Sequence, residues 1–92
     1  QALPQPGYPR LALSWRHKGK RLQLEIRQVQ PEEWGVYRLP GLMIAIDGTR
    51  VPLNIEGRET TITLEKWKQR PREIVVDPDG WWLMEATVSA ER

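Results

Sequence analysis

The sequence contains no cysteine and no phenylalanine, and His17 is its single histidine. Without cysteine, the chain has no disulfide, no thiolate zinc site and no thiol nucleophile. One histidine without cysteine also excludes a zinc site built from these two residue types. No apolar run approaches the roughly 20 residues of a membrane-spanning helix, and no segment has the residue order of a signal peptide. We therefore expect the fold to rest on an apolar core, and we expect no cofactor in this chain.

The charge excess is also small. Fourteen basic residues stand against twelve acidic ones, a formal net charge of +2, far from the basic excess of a dedicated nucleic-acid binder. We therefore expect neither nucleic acid nor membrane as a partner. The densest basic stretch, "RHKGKR" at residues 16–21, is better interpreted as a solvated hairpin turn than as a binding patch.

Residues that could carry catalysis are few. A Ser-His-Asp triad would have to combine His17 with Ser14 or Ser89, and neither serine lies in a nucleophile-elbow sequence. The "DPDG" stretch at residues 77–80 lacks the further oxygen ligands that follow in a calcium loop, and ordinary turn chemistry explains it. We expect no catalytic residue and no metal ligand in this chain.

Apolar residues alternate with polar ones along most of the chain, as in half-buried strands. Segments with this period are "LALSW", "RLQLEI", "LMIAI", "VPLNI" and "TTITL". The run "IVV" at residues 74–76 predicts a strand buried on both faces, and "WWLMEATV" at residues 81–88 predicts the last strand. With 92 residues, the pattern predicts one all-β domain, an antiparallel two-sheet β-sandwich of about seven strands with an immunoglobulin-like fold.

Turn residues separate the predicted strands. Asp47 and Gly48 predict a type I′ hairpin, and Pro40 followed by Gly41 predicts a bulge or an edge position.

The proline-rich residues 1–10 are expected to be a linker from a preceding domain, residues 11–88 the sandwich, and residues 89–92 a C-terminal tail. Because the sequence begins at Gln1 rather than Met, we also expect it to be a fragment.

Five tryptophans are many for so short a chain. Neighbouring residues of a strand point to opposite faces, so either Trp81 or Trp82 should enter the core and the other should face outward. An outward indole can stack on a sugar ring, as in carbohydrate-binding modules, or pack against another domain. Composition alone does not choose between these uses.

The order of the motifs resembles that of a known family. The chain shows G-x-P-x-L-x-x-x-W at its start, Q-x-Q at the end of its second strand and a later strand that ends in D-P-x-G-W. The matching stretches are "GYPRLALSW", "LEIRQVQ", "YRLPGLMIAI", "EGRETTITL" and "REIVVDPDGWWLMEATV". In series they resemble the β-sandwich domain that follows the thermolysin-like catalytic domain in zinc aminopeptidases of the aminopeptidase N-like family.

The resemblance implies a non-catalytic role, because the family's H-E-x-x-H zinc helix is absent from this sequence. Zinc is then expected in the parent catalytic domain, and this chain is expected to pack against and support that domain of the same polypeptide. Trp34, Trp81 and Trp82 become candidates for the inter-domain interface, and an exposed apolar patch could also mediate weak self-association. The alternative is a carbohydrate-binding or adhesive module, which predicts at least two exposed coplanar aromatic rings lining a groove.

Overall fold

The computed structural model describes residues 7–90, and β-strands are the main regular structure in this range. The strands are β1 (Arg10–Lys18), β2 (Arg21–Gln28), β3 (Leu39–Ile46), β4 (Thr49–Ile55), β5 (Glu59–Leu64), β6 (Ile74–Val76) and β7 (Glu85–Ala90), with one short 3-10 helix (Glu32–Trp34) before β3. The prediction of an all-β chain is confirmed. Residues 1–6 of the predicted linker and residues 91–92 of the predicted tail lie outside the described residues.

The strands form two sheets, one of order β5-β2-β1-β7 and one of order β4-β3-β6. The prediction of a wholly antiparallel arrangement is wrong for one pair, because β7 runs parallel to β1 from Arg10–Glu85 to Trp15–Ala90. Parallel neighbours need a crossover connection. Here the crossover is made by residues 77–84. They connect β6, in the three-stranded sheet, to β7, which returns to the four-stranded sheet and pairs with β1 in the same direction.

The core lies between the sheets and consists mostly of the apolar residues that alternate along the predicted strands, together with Leu39 and Ile74, which alternation had not assigned. Trp15 is 8% exposed and Ile26 is 2% exposed, which confirms the predicted core face of β1 and β2. Thirteen described apolar residues are buried: Leu11, Leu13, Trp15, Leu22, Leu24, Ile26, Leu39, Leu42, Ile44, Ile46, Leu53, Ile55 and Ile74. Inner faces of this kind hold two packed sheets together through their shared burial.

Both predicted turn features of β3 are confirmed. Asp47 and Gly48 have φ values of 50° and 86°, the positive values that a type I′ turn requires. The register between β3 and β4 shifts between Leu39 and Leu42, so Pro40 and Gly41 form the bulge. The Gly41 backbone N–H donates a hydrogen bond of 2.9 Å to the Asn54 side chain.

The last two strands differ from their predictions. Residues 74–76 were expected to be buried on both faces, which is wrong, because β6 is a short edge strand and Val75 is 37% exposed. The last strand begins at Glu85 rather than Trp81, because residues 81–84 form an irregular connection after the turn at residues 77–80. The first strand begins at Arg10 and the last strand ends at Ala90, so the strands extend slightly beyond the predicted sandwich range of 11–88.

Two buried glutamines, Gln28 and Gln30, tie the sheets to the loops around them. The Gln28 Nε2 group donates to the carbonyls of Tyr37 (2.8 Å) and Gly57 (2.9 Å). Its Oε1 accepts from the Tyr37 backbone N–H (2.8 Å) and from Gln30 Nε2 (2.8 Å). The Arg10 backbone N–H donates to the Gln30 side chain at 3.1 Å. The Q-x-Q motif thus forms a buried hydrogen-bond network that connects β1, β2 and the loop before β3.

Candidate interaction site around Trp81

The turn at residues 77–80 determines where Trp81 is placed. The Gly80 backbone N–H donates to the Asp77 carbonyl at 3.1 Å, which closes the predicted turn. The buried Asp77 carboxylate accepts hydrogen bonds from the backbone N–H groups of Trp81 (3.1 Å) and Trp82 (2.8 Å). A short acidic side chain bonded to the backbone just after it is the usual stabiliser of such turns. Asp77 therefore holds both tryptophans at the end of β6.

The two adjacent tryptophans point in different directions, as predicted. Trp82 is half-buried and packs against the core, whereas Trp81 is 81% exposed. Leu83, two residues further on, is 82% exposed. The cause differs from the predicted one: these residues lie in the connection before β7, so the turn separates the indoles, not strand alternation.

An open pocket of about 400 Å³ adjoins Trp81 on the outer side of the smaller sheet. Its lining residues are Pro40, Gly41, Met43, Asp77, Asp79, Trp81 and Trp82. The walls are mainly apolar, with the carboxylates confined to the turn. We call this set of lining residues the Trp81 pocket.

An ion pair fixes one edge of the Trp81 pocket. The Arg50 guanidinium makes two hydrogen bonds to the Asp79 carboxylate, one of them 3.1 Å between Nη2 and Oδ1. This hydrogen bonding, with the charge of Asp79, raises the pKa of Arg50 above its ordinary value. Both side chains are about half exposed, so the pair contributes little stability. The pair places opposite charges beside an apolar surface.

Trp34 belongs to a different cluster at the N-terminal end of β1. Its ring lies 5.8 Å from the Tyr8 ring, and the Arg10 guanidinium lies 5.2 Å from its centroid. A Cβ atom at Gly7 would be 2.2 Å from the Trp34 ring, so glycine permits this packing. The Tyr8 hydroxyl donates to Glu85 at 3.0 Å, which links the cluster to β7. Trp34 is half-buried by contacts within the chain and does not line the Trp81 pocket.

His17, the single histidine, is also engaged within the fold. It lies in β1, and its Nε2 donates to the Trp67 carbonyl at 2.8 Å. Sequence reasoning placed it in a solvated turn and missed this contact, because Trp67 is 50 residues away in the chain. Among residues 7–90 there is no group of three or more His, Asp or Glu side chains arranged to hold a metal ion. In the same range no helix is long and apolar enough to cross a membrane.

The described residues include every aromatic side chain of the sequence, and of these Trp81 alone is exposed. The carbohydrate-binding alternative had predicted two exposed coplanar rings, so the arrangement does not have that feature. Over residues 7–90 the structure is an all-β domain of two sheets with one exposed aromatic side chain, Trp81. Comparisons of this chain with protein-family models, curated proteins and solved structures found no match.

Proposed function

We propose that this chain is a non-catalytic, immunoglobulin-like β-sandwich domain that packs against and supports the catalytic domain of a zinc aminopeptidase. The observation that carries the proposal is the exposure of Trp81, 81% exposed beside an apolar pocket. The order of the sequence motifs, which resembles the accessory domain of the aminopeptidase N-like family, supports the choice of parent enzyme.

The energetics favour a protein surface as the occupant of the Trp81 pocket. A tryptophan side chain has roughly 150 to 250 Å² to bury. At about 25 cal/mol per Å², covering the exposed part of Trp81 would contribute on the order of 3 to 5 kcal/mol. Aromatic residues surrounded by apolar neighbours and a polar rim are typical of the centre of a protein interface. Met43 and Pro40 supply the apolar neighbours, and Arg50 with Asp79 supplies the rim.

The complete reading frame that encodes this chain provides the first test. We expect it to contain an H-E-x-x-H motif with a glutamate about 20 residues beyond it, the spacing of the family this chain resembles. The purified product should bind zinc and hydrolyse amino-acid p-nitroanilides, and the isolated chain should not. A reading frame without a metal-binding motif would refute the proposed parent enzyme.

The interface is tested separately with Trp81→Ala. In the isolated chain the change should leave the melting temperature nearly unchanged, because exposed side chains away from structural contacts usually contribute within about 0.5 kcal/mol. In the complete protein it should lower the melting temperature clearly. Val29→Ala is the matched control, since Val29 is also exposed, at 51%, but lies outside the Trp81 pocket. Equal melting temperatures for wild-type and Trp81→Ala complete protein would exclude Trp81 from an inter-domain contact.

One observation favours the carbohydrate-binding alternative as a second candidate. The exposed Trp81 ring stands next to the Asp79 carboxylate at an open pocket, and sugar sites combine an aromatic face with polar hydrogen-bonding groups. Isothermal titration against a panel of polysaccharides should then give heat that Trp81→Ala abolishes. Uniform silence across the panel would remove this candidate. Sedimentation of the isolated chain, with and without the same substitution, would show whether a second copy covers the surface.

A further inference from the structure

The fold brings two distant basic segments together at one end of the larger sheet. Residues 16–21 form the β1–β2 hairpin, and residues 65–73 connect β5 to β6. The Trp67 backbone N–H donates to the Lys20 carbonyl at 2.6 Å, and His17 contacts the Trp67 carbonyl at 2.8 Å. The strands below them are in register at Leu22 and Leu64. We call residues 16–21 and 65–73 the basic end.

Charge is divided unevenly between the basic end and the remaining chain. The basic end contains eight Lys/Arg and two Asp/Glu, a net +6, whereas the rest contains six Lys/Arg and ten Asp/Glu, a net −4. Asp47 also adjoins this end, where its carboxylate accepts from the backbone N–H groups of Arg72 (2.9 Å) and Glu73 (2.8 Å). Counting Asp47 leaves the local net charge at +5. The overall net charge of +2 is therefore the sum of a positively charged end and a negatively charged remainder.

The cationic side chains line two adjoining depressions on this surface. The larger, of about 430 Å³, lies between Lys18, Lys20, Arg21, Glu65 and Lys66. The smaller, of about 170 Å³, is lined by Arg16, Lys18, Arg21 and Gln23. Lys18 and Arg21 line both, so the two depressions are neighbours.

The ion pair between Arg21 and Glu65 in the basic end is weak. The Arg21 guanidinium lies 3.8 Å from Glu65, and both side chains are about 70% exposed, an arrangement that contributes little. Lys18, Lys20, Lys66 and Lys68 are exposed. Their mutual repulsion is relieved when a negative surface binds.

We propose that the basic end is a docking surface for an Asp/Glu-rich surface of a partner protein. A single-stranded nucleic acid fits less well, because such binding uses exposed aromatic rings among the basic residues. Trp67, the aromatic residue between Lys66 and Lys68, is half-buried and packs against the core. A long polyanion would also extend past the basic end toward the part of the chain that carries the net −4. An acidic patch of limited size meets only the basic end.

The test measures binding of a fluorescein-labelled decaglutamate peptide by fluorescence anisotropy. An oligothymidylate of equal formal charge serves as the competing class. We expect the peptide to bind more tightly than the oligothymidylate, and to weaken as salt rises. Lys66→Glu combined with Lys68→Glu should lower the peptide affinity by about tenfold or more, as expected for charge reversal within a docking surface.

The matched control is Arg27→Glu combined with Arg38→Glu, which changes the net charge equally at exposed positions outside the basic end. It should change the affinity by less than about threefold. Circular dichroism confirms that each variant is folded. Equal losses from both double variants would overturn the proposal, as would tighter binding of the oligothymidylate or no binding of the peptide. None of these outcomes depends on the Trp81 pocket.

Discussion

Replacing Gln28 with leucine should destabilise the protein through hydrogen bonds rather than through volume. Gln28 is 3% exposed, and its amide takes part in four hydrogen bonds. Leucine keeps a side chain of similar size but neither donates nor accepts. The Tyr37 N–H, the carbonyls of Tyr37 and Gly57, and the Gln30 amide would each lose this partner.

The magnitude follows from the burial of those partners. A buried group that loses its partner costs about 1 to 3 kcal/mol. Tyr37 and Gly57 are half-buried, so water can restore part of their hydrogen bonding. Gln30 is 2% exposed, and its amide keeps a bond of 2.8 Å to the Gly35 carbonyl. With a small gain from burying leucine, we expect a net loss of about 3 to 5 kcal/mol, much of the roughly 5 to 14 kcal/mol that a domain of this size has.

Urea denaturation followed by tryptophan fluorescence measures this loss. Gln23→Leu is the matched control, because Gln23 lies on the opposite face of the same strand, β2, and is only half-buried. That control should change the free energy of unfolding by about 0.5 kcal/mol or less. Similar unfolding midpoints for the two variants would refute the claim that the hydrogen bonds of Gln28 stabilise the fold. A loss below about 1 kcal/mol would do the same.

Two further stability predictions follow from packing. Trp15→Ala should cost about 3 to 5 kcal/mol and Ile26→Ala about 2 to 5 kcal/mol, because each opens a cavity in the core; denaturant midpoints that stay near wild type would contradict the core assignment. Gly7→Ala should lower the melting temperature, since Gly7 has φ of 76° and the added Cβ would meet the Trp34 ring at 2.2 Å. A calorimetric melting temperature equal to that of wild type would show that Trp34 does not pack there.

Sequence pattern was sufficient for local features because their causes are local. Alternation identified the inner face of β1 through the burial of Leu11, Leu13 and Trp15. The Asp-Gly pair identified its hairpin, since positive φ at two successive positions restricts the residues that fit. For the candidate site, the pattern predicted one inward and one outward indole at Trp81 and Trp82. It did not predict which one faces outward, since the turn at residues 77–80 and the connection after it, not strand alternation, set the two directions.

Features that depend on distant residues emerged only in the folded chain. The parallel pairing of β1 with β7 joins segments about 75 positions apart, and no local period encodes a partner strand. The basic end unites residues 16–21 with residues 65–73, so the hairpin seemed only a solvated turn when considered alone. Alternation along the chain was therefore enough to predict the inner faces of β1 and β2, because it acts over neighbouring residues, but not the burial of Gln28, Gln30 and Asp77. Tertiary structure decided which surfaces form, because packing two sheets selects among long-range pairings that are locally equivalent.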